Sequence, residues 1–502
     1  MKLFERARLG IIWGQIGKII EIVLGLIFTV AVGRAMEPAG YGVYSLVISV
    51  VGFFMLVASL GFAEILGKFA PQIIETAGVE KLRVFFKGLL KKRLVLVLII
   101  AGIVLLIGKN FPLFSQSRNY ARYLFFIAAL VVLQGVSELY ISLFTALLKL
   151  KVVTYVKLLV QFLVLTLTLL FFYLYGVSVT TVLLFTASAT FVGIIFYYII
   201  AGRFFGKSCA GSYFVPGAYR FGMVVWLTNL ANFALANHID KILIGTLLKD
   251  TAAVGHYSIA AMLLTSLHAV LTAGWGLTVL PVLSEAYAKH GKEGMVEAIR
   301  VYFKLLVVVM LPAVFFLGYA AHPIIVGLFG NAYAPSARLL GTYVMLDILI
   351  ILFMGGLTLF PLYILGKERL VLKLCIFAGA LNIVLDLLLI PPYKALGAII
   401  ATGISTSLFS FLELWYVIKY LPKAYPLRFS LKVILSAGIC LVPFLLWIRL
   451  PFVYLPGLAI VYAVAVIVLL YFLKAIEPED QKILEKLYPR LGFLSRFKKG
   501  TN

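Results

Sequence analysis

The sequence predicts an all-α polytopic membrane protein with about fourteen transmembrane helices. Of its 502 residues, 63% are hydrophobic and only 13% are charged, which is too apolar for a soluble protein of this length. Apolar runs long enough to cross a bilayer recur along the whole chain. The 44 basic residues outnumber the 20 acidic ones, and most of them fall in segments on the same side as the N-terminus. This asymmetry predicts cytoplasmic N- and C-termini in the cell membrane, and no nucleic-acid partner.

Each predicted span is a run of roughly 20 mostly apolar residues. The spans lie at 9–32, 41–62, 94–114, 121–145, 154–175, 179–201, 217–239, 254–280, 303–321, 338–360, 369–391, 396–418, 429–449 and 452–473. The apolar run after the basic N-terminal segment is too long for a signal peptide and lacks a small-residue cleavage pattern, so we expect it to be the first transmembrane helix and not a cleaved signal. Cys209, Cys375 and Cys440 are far apart, without a CxxC motif or a Cys/His cluster. We therefore expect no disulfide framework and no metal site.

An internal repeat covers most of the chain. VEKLRVFFK at 79–87 recurs as VEAIRVYFK at 296–304, with six of nine positions identical. Two shorter pairs have similar offsets, namely GVYS at 42–45 with GHYS at 255–258, and APQIIE at 70–75 with LPVLSE at 280–285. Each half holds six spans, an even number, so both halves should enter the membrane in the same sense around an axis along its normal.

The repeat predicts the domain organisation. We expect an N-terminal six-helix lobe at 1–210, a C-terminal six-helix lobe at 211–422, two additional transmembrane helices at 423–474 and a cytoplasmic basic tail at 475–502. No linker separates soluble domains, and every predicted external connection is short. The function is therefore expected within the membrane or at its two faces.

One internal connection, 63–93, ends in an amphipathic stretch. Its apolar stripe is Leu82, Phe85, Phe86 and Leu89, and the opposite side carries Lys81, Lys87, Lys91 and Lys92. We expect this stretch along the cytoplasmic interface. It is either a docking site for anionic lipid or lipid-linked substrate, or ordinary positive-inside anchoring.

Three stretches resemble the multidrug/oligosaccharidyl-lipid/polysaccharide (MOP) exporter superfamily, and within it the polysaccharide flippases of the O-antigen type. They are GRAMEPAGYGVYSLVISV at 33–50, HIDKILIGTLLKDTAAVGHYSIA at 238–260 and LGKERLVLKLCIFAGALNIVLDLLLIPPYKALGAIIATGIS at 365–405. FAEILGKFAP at 62–71 is more weakly similar to lipid II flippases. Together, in their order and spacing, these stretches extend the resemblance over nearly the whole chain.

The resemblance implies a MATE-like V-shaped architecture, in which two six-helix lobes enclose a central cavity. It also implies alternating access that moves a polyprenyl-diphosphate-linked oligosaccharide from the cytoplasmic to the external leaflet. Membrane lipids and this lipid-linked substrate are the implied partners, and polysaccharide assembly proteins are candidates. A diphosphate needs cationic partners, and a sugar chain needs hydrogen-bonding side chains shielded from lipid.

Charged residues inside a span are costly unless they face water or a partner, so each is a functional candidate. Lys18 and Glu21 lie three residues apart in the first span. Lys18 can receive the diphosphate while Glu21 keeps it charged or exchanges a coupling proton. Alternatively, Lys18 only extends to the interface by snorkelling, although this does not explain Glu21.

Two further sets of polar residues are expected near the cavity or its mouths. Glu64 and Lys68, four residues apart, form either a stabilising surface pair or a substrate contact. In the span at 217–239, one face carries Asn229 and Asn232 and continues to Asp240, with Lys241 beside it. We expect this face to line the cavity or the lobe interface, although Asp240 and Lys241 can also be solvated at the external end.

Other acids lie within predicted spans without a basic residue at helical spacing. They are Glu138 with Gln134, Asp347, Asp386 with Asn382, and Glu413. A partner on another helix or protonation can remove the cost of burial, and we favour interhelical structural roles. His268 can titrate near neutral pH or be simply hydrogen-bonded.

A second candidate function is a MATE-type cation-coupled antiporter of drugs or other solutes, which shares the predicted fold. Coupling to H⁺ or Na⁺ fits either function. A membrane-embedded glycosyltransferase or polymerase is disfavoured because the chain has no DxD, HExxH or P-loop motif and no predicted external loop long enough for a catalytic domain. We therefore expect a flippase with no enzymatic activity and no cofactor.

Overall fold

The computed structural model describes residues 2–108, 121–206, 211, 213–272, 275–445 and 452–475. Within them every regular element is helical, which confirms the predicted all-α class. The α-helices are α1 (Lys2–Ser59), α2 (Phe62–Ile107), α3 (Ala121–Ala146), α4 (Leu150–Tyr175), α5 (Val179–Phe205), α6 (Ala218–Phe233), α7 (Asn237–Leu248), α8 (Thr251–Leu271), α9 (Trp275–Tyr319), α10 (Ala321–Phe329), α11 (Pro335–Leu352), α12 (Leu359–Ile364), α13 (Glu368–Tyr393), α14 (Ala395–Tyr420), α15 (Leu427–Leu445) and α16 (Leu455–Phe472). Cys209 and nearly all of the predicted tail, 476–502, lie outside the described residues.

The chain is a multi-pass membrane protein, because 11 segments of the described residues are long and apolar enough to cross a bilayer. The sequence predicts about fourteen, and the difference has three local causes. One helix, α1, contains 9–32 and nearly all of 41–62. The predicted span 94–114 extends beyond the described end of α2. The predicted span 217–239 is wrong as one helix, because the chain breaks between α6 and α7, which have only 16 and 12 residues.

Three long helices contain a sharp change of direction. Glu37 in α1 has a φ of 56° and stands directly before Pro38, a position where the helical conformation is sterically disfavoured. Gly78 in α2 and Gly291 in α9 have φ values of 82° and 62°, which glycine adopts without a Cβ clash. Each of these helices therefore consists of two differently directed pieces, and Glu37 separates the first two predicted spans.

The described residues form two compact units. The first draws on Met1–Gly274, Leu328–Leu339 and Cys375–Ser405, and the second on Trp275–Gly327, Leu340–Leu374 and the chain after Ser405. The lobe boundaries expected from the repeat stay a prediction.

The repeat is visible in a reciprocal contact of α1 with α8 inside the first unit. The hydroxyls of Ser45 and Ser258, buried and 213 residues apart, are hydrogen-bonded at 2.8 Å. A Cβ on Gly42 would lie 1.7 Å from the carbonyl oxygen of Thr251, and one on Gly255 would lie 2.0 Å from that of Pro38. The offset of 213 residues that separates Ser45 from Ser258 also relates Gly42 to Gly255 and Pro38 to Thr251. The two glycine contacts are therefore equivalent under the repeat, and the two segments meet across a local two-fold relation.

The amphipathic stretch of α2 differs from the prediction on its apolar side. Leu82, Phe85, Phe86 and Leu89 are buried in a protein core shared with α3 and α5, and do not lie against lipid. The repeat counterparts of Leu82 and Phe86, which are Ile299 and Phe303, are fully buried as well. The lysines of the opposite side are exposed. The stripe therefore packs this helix against its neighbours, and only its basic side faces outward.

The second unit is built around α9, which packs against α12, α15 and α16. The buried Glu413 of α14 accepts a hydrogen bond from the hydroxyl of Thr358, which precedes α12, at 2.7 Å. The Tyr462 hydroxyl of α16 donates to the backbone oxygen of Ala437 in α15 at 2.9 Å. Glu413 thus has a partner on another segment, in the structural role predicted for it.

Candidate functional site

A group of three charges lies where α1 contacts α4 in the first unit. The Glu21 carboxylate is 3.4 Å from the Lys18 ammonium and 3.8 Å from that of Lys157. The side-chain amide of Gln161 donates to the backbone oxygen of Glu21 at 2.8 Å. The Lys18–Glu21–Lys157 group therefore joins the two charges predicted in the first span to a lysine from another helix.

A cavity of about 150 Å³ adjoins this group and is lined by Lys18, Glu21, Lys157 and Thr154 among others. The side chains of Lys18 and Lys157 are 53% and 39% exposed, and that of Glu21 is 30% exposed. Two ammonium groups around one carboxylate leave an excess of one positive charge. Such an arrangement can bind an anionic group, because charge-assisted hydrogen bonds from lysine to phosphate oxygens are strong.

A larger cavity of about 360 Å³ lies between α1, α3, α4 and α5. Three helices turn polar residues at helical spacing toward it, namely Gln134, Ser137 and Glu138 from α3, Lys157 and Gln161 from α4, and Thr186 and Thr190 from α5. Phe28, Tyr44 and Tyr197 add aromatic surfaces. Glu21 and Lys157 line both cavities, so the two are adjacent.

The acid on the wall of the larger cavity is held by a buried arginine of α2. Arg93 is 1% exposed, and its Nη2 donates to Glu138 at 2.5 Å, while its Nε donates to the backbone oxygen of Gly135 at 3.4 Å. The Glu138 side chain is 39% exposed and lines the cavity. Arg93 does not line the cavity but balances the negative charge of Glu138 from within the protein. The Glu138 carboxylate therefore faces the cavity with its charge already balanced.

The predicted pair of Glu64 and Lys68 has other partners. Glu64 accepts a hydrogen bond from the side-chain amide of Asn229 in α6 at 2.8 Å. The Lys68 ammonium lies over the ring of Phe221, 4.1 Å from its centroid. Both side chains thus connect α2 to α6, and Asn229 faces this helix contact.

Asp240 is at the centre of a third polar group, which is fully buried in the first unit. It accepts hydrogen bonds from the hydroxyl of Tyr257 in α8 and from that of Thr402 in α14, the latter at 2.7 Å. The side-chain amide of Asn382 in α13 donates to Asp386 at 3.1 Å and lies 3.5 Å from Asp240. Asp240, first considered together with the residues of α6, therefore belongs to a group assembled from four helices.

Two oxygen atoms of this Asp240 group have no hydrogen-bond partner among the described residues. They are Oδ1 of Asp386 and Oδ1 of Asn382, both on fully buried side chains. The carboxyl groups of Asp240 and Asp386 also lie close enough to interact directly. Two carboxylates cannot share a buried site while both carry their full charge, so one of them must be protonated or the pair must be neutralised by a cation.

The remaining predicted site residues are Asn232, Lys241 and His268. Asn232 is exposed near the end of α6. Lys241 is half-buried and within electrostatic reach of Asp240. His268 is half-buried near the end of α8 and has an interaction partner. These three do not line the two cavities described above.

Four important side chains were not predicted from the sequence. Arg93 stands at the boundary of a predicted span, where basic residues are common, and Lys157 stands near the start of another. The spacing of Lys157 and Gln161 on one helical face was an available signal. Tyr257 and Thr402 are ordinary residues of apolar helices, and only the folded chain brings them to Asp240.

The sequence of the chain is similar to one protein family and to a membrane protein of an archaeon. A family model described as polysaccharide biosynthesis protein matches residues 8–287. An uncharacterized membrane protein of Methanocaldococcus jannaschii, MJ1068, is 23% identical over 290 residues, which are 55% of this chain and 55% of that protein. The chain thus spans about half the length of that relative.

Solved structures share the fold at low sequence identity. Lipid II flippase MurJ in an inward closed conformation matches with a TM-score of 0.71 and 14% identity over 92% of this chain and 99% of MurJ. A MOP superfamily transporter from Pyrococcus furiosus matches with a TM-score of 0.53 and 15% identity over 83% and 96% of the two chains. A multidrug resistance MATE family transporter in an outward-facing conformation matches with a TM-score of 0.55 and 15% identity over the same shares. The fold is that of MOP superfamily transporters.

Proposed function

Since the chain belongs to the polysaccharide biosynthesis protein family, we propose that it is a flippase for a polyprenyl-diphosphate-linked oligosaccharide. It moves this lipid from the cytoplasmic to the external leaflet of the cell membrane, with both of its termini in the cytoplasm. The observation that carries the proposal is the Lys18–Glu21–Lys157 group, which offers two ammonium groups beside a cavity inside a membrane-spanning unit.

The diphosphate is the part of such a lipid that resists crossing the bilayer most, because its charges lose their hydration. Lys18 and Lys157 can replace that hydration with charge-assisted hydrogen bonds. Glu21 keeps the two ammonium groups close together before the substrate arrives. A diphosphate then competes with this carboxylate for the two ammonium groups, so neither lysine is ever without an anionic partner.

Transport against a gradient needs a coupled ion, and the Asp240 group is the proposed binding site for H⁺ or Na⁺. Its two interacting carboxyl groups need a positive charge between them, and the unpartnered oxygens of Asp386 and Asn382 supply acceptors. Binding and release of this cation would change the contacts of α7, α8, α13 and α14, which all contribute to the group. No covalent chemistry is required, so the protein acts as a transporter and not as an enzyme.

The same buried acids give a specific reason to keep the MATE-type antiporter as the second candidate. A cation-coupled exporter of cationic solutes also needs carboxylates inside the helix bundle. The two functions differ in the charge of the substrate that is moved. The Lys18–Glu21–Lys157 group, with its positive excess, favours an anionic substrate.

Purified protein in proteoliposomes can separate the two candidates. A fluorescent undecaprenyl-diphosphate sugar and a cationic dye are supplied separately, each under an imposed H⁺ gradient or Na⁺ gradient. The flippase predicts movement of the lipid between leaflets without expulsion of the dye. Expulsion of the dye without movement of the lipid would establish the antiporter instead. The gradient that accelerates transport identifies the coupling ion.

A further inference from the structure

We propose that the 360 Å³ cavity between α1, α3, α4 and α5 is a subsite for the sugar that is bonded directly to the diphosphate of the substrate. This inference rests on the proposed flippase function and assigns a part of the substrate to this cavity. Three observations carry it: the balanced charge of the cavity, the arrangement of its polar groups, and its position next to the Lys18–Glu21–Lys157 group.

The charge of the cavity favours a neutral ligand. The Glu138 carboxylate is balanced by Arg93, which lies outside the cavity and is almost completely buried. Glu21 is balanced by Lys157 and Lys18. The lining therefore has no excess of negative charge for a cation, and the ammonium group in it, that of Lys157, belongs to the wall shared with the smaller cavity.

The polar groups suit a ligand with many hydroxyls. Glu138 is an acceptor, while Gln134, Gln161 and Ser137 each provide both a donor and an acceptor. Polar groups arrive from different helices and so surround the space. Phe28 and Tyr44, which are half-buried, add apolar ring surfaces against which the C–H face of a sugar ring can pack. A purely apolar lipid chain would leave the side chains of Gln134 and Ser137 without hydrogen-bond partners.

The position of the cavity specifies which sugar it takes. Glu21 and Lys157 form part of its wall and also part of the wall of the smaller cavity beside Lys18. A diphosphate held by the two lysines can thus extend its sugar end into the larger cavity. At about 360 Å³ the cavity is near the lower end of ordinary ligand sites. It therefore has room for the first one or two rings of the chain and not for a whole oligosaccharide.

Two variants test the subsite in proteoliposomes. Gln134→Leu removes hydrogen-bonding groups while nearly keeping the volume, and Ser137→Ala removes a single hydroxyl. Transport is measured for two fluorescent lipids, undecaprenyl diphosphate bearing one N-acetylhexosamine and the same diphosphate without sugar. The matched control is Thr168→Val, because Thr168 is buried in α4, does not line the cavity and has a hydroxyl without a hydrogen-bond partner.

Each cavity variant should raise the KM for the sugar-bearing lipid about tenfold, as expected for the loss of a buried hydrogen bond. The KM for the bare diphosphate should change less than about twofold. Equal changes for both lipids, or no change for either, would overturn the subsite while leaving the flippase function in place. If the wild-type protein moves neither lipid, the flippase function itself is wrong and the subsite is overturned with it.

Discussion

Replacement of Gly42 or Gly255 with alanine should force α1 and α8 apart. The new Cβ would lie 1.7 Å from the carbonyl oxygen of Thr251 in the first case and 2.0 Å from that of Pro38 in the second. Since ordinary contact begins near 3.4 Å, the helices must separate locally by about 1.5 Å in either variant. The obstacle is backbone and not a flexible side chain, so rotamer changes cannot relieve it.

The expected cost follows from two contributions. Overpacking of this kind costs about 1–3 kcal/mol, and separation also stretches the buried Ser45–Ser258 hydrogen bond, which contributes about 1 kcal/mol. We therefore expect each variant to lower the free energy of unfolding by about 2–4 kcal/mol. The double variant should cost less than the sum of the singles, because one displacement of the helices accommodates both methyl groups.

The assay is thermal unfolding of the purified protein in detergent, followed by intrinsic fluorescence. Each single variant should lower the apparent melting temperature by roughly 2–4 °C, because the unfolding entropy of a 502-residue chain is about 1 kcal/mol/K. Gly102→Ala in α2 is the matched control, because its Cβ would meet no atom within 4 Å and alanine favours the helix. Unchanged stability of Gly42→Ala and Gly255→Ala, or fully additive effects in the double variant, would refute the close reciprocal contact.

Two further predictions concern transport. Lys18→Ala and Lys157→Ala should each reduce movement of an undecaprenyl-diphosphate sugar about tenfold in proteoliposomes, because each removes a charge-assisted hydrogen bond of about 1.5–3 kcal/mol. The control is Lys289→Ala, which breaks an exposed ion pair with Glu285 in the second unit and should leave transport unchanged. A similar loss of transport in this control would contradict a local role for Lys18 and Lys157. Asp240→Asn and Asp386→Asn should each abolish the acceleration of lipid transport by the coupling-ion gradient while membrane expression persists. Transport measured with and without the gradient tests this. Full retention of the gradient effect in the variants would exclude the Asp240 group as the coupling site.

The sequence was a reliable guide to the helices and to the repeat. Long apolar runs define membrane-spanning helices largely by themselves, because a helix is the simplest way to satisfy backbone polar groups in lipid. The break between α6 and α7 was missed, since residues 234–236 contain no glycine or proline to mark it. The sequence also does not show that the apolar stripe of α2 packs on protein, because apolar side chains are favoured both against lipid and in a protein core.

Long-range polar partners are the part of the site that the sequence could not reveal. Lys18 and Glu21 were found because three residues separate them on one helix. Asp240 meets Asn382 across 142 residues and Thr402 across 162 residues, and no local pattern indicates such pairs. The direction in which a polar residue points inside a helix bundle depends on tertiary packing. A buried acid can therefore be recognised as a candidate, while its partners require the structure.

The most direct test of the flippase function is the accessibility of a fluorescent undecaprenyl-diphosphate sugar to a membrane-impermeant reductant. In liposomes without protein, the reductant should quench only the lipid in the outer leaflet, about half of the total, because the diphosphate does not cross the bilayer unaided. Wild-type protein should make nearly all of the lipid accessible, and the Lys18→Ala/Lys157→Ala double variant should return the quenching to the half-way level. Quenching that stays at one half with the wild-type protein would contradict the proposed function.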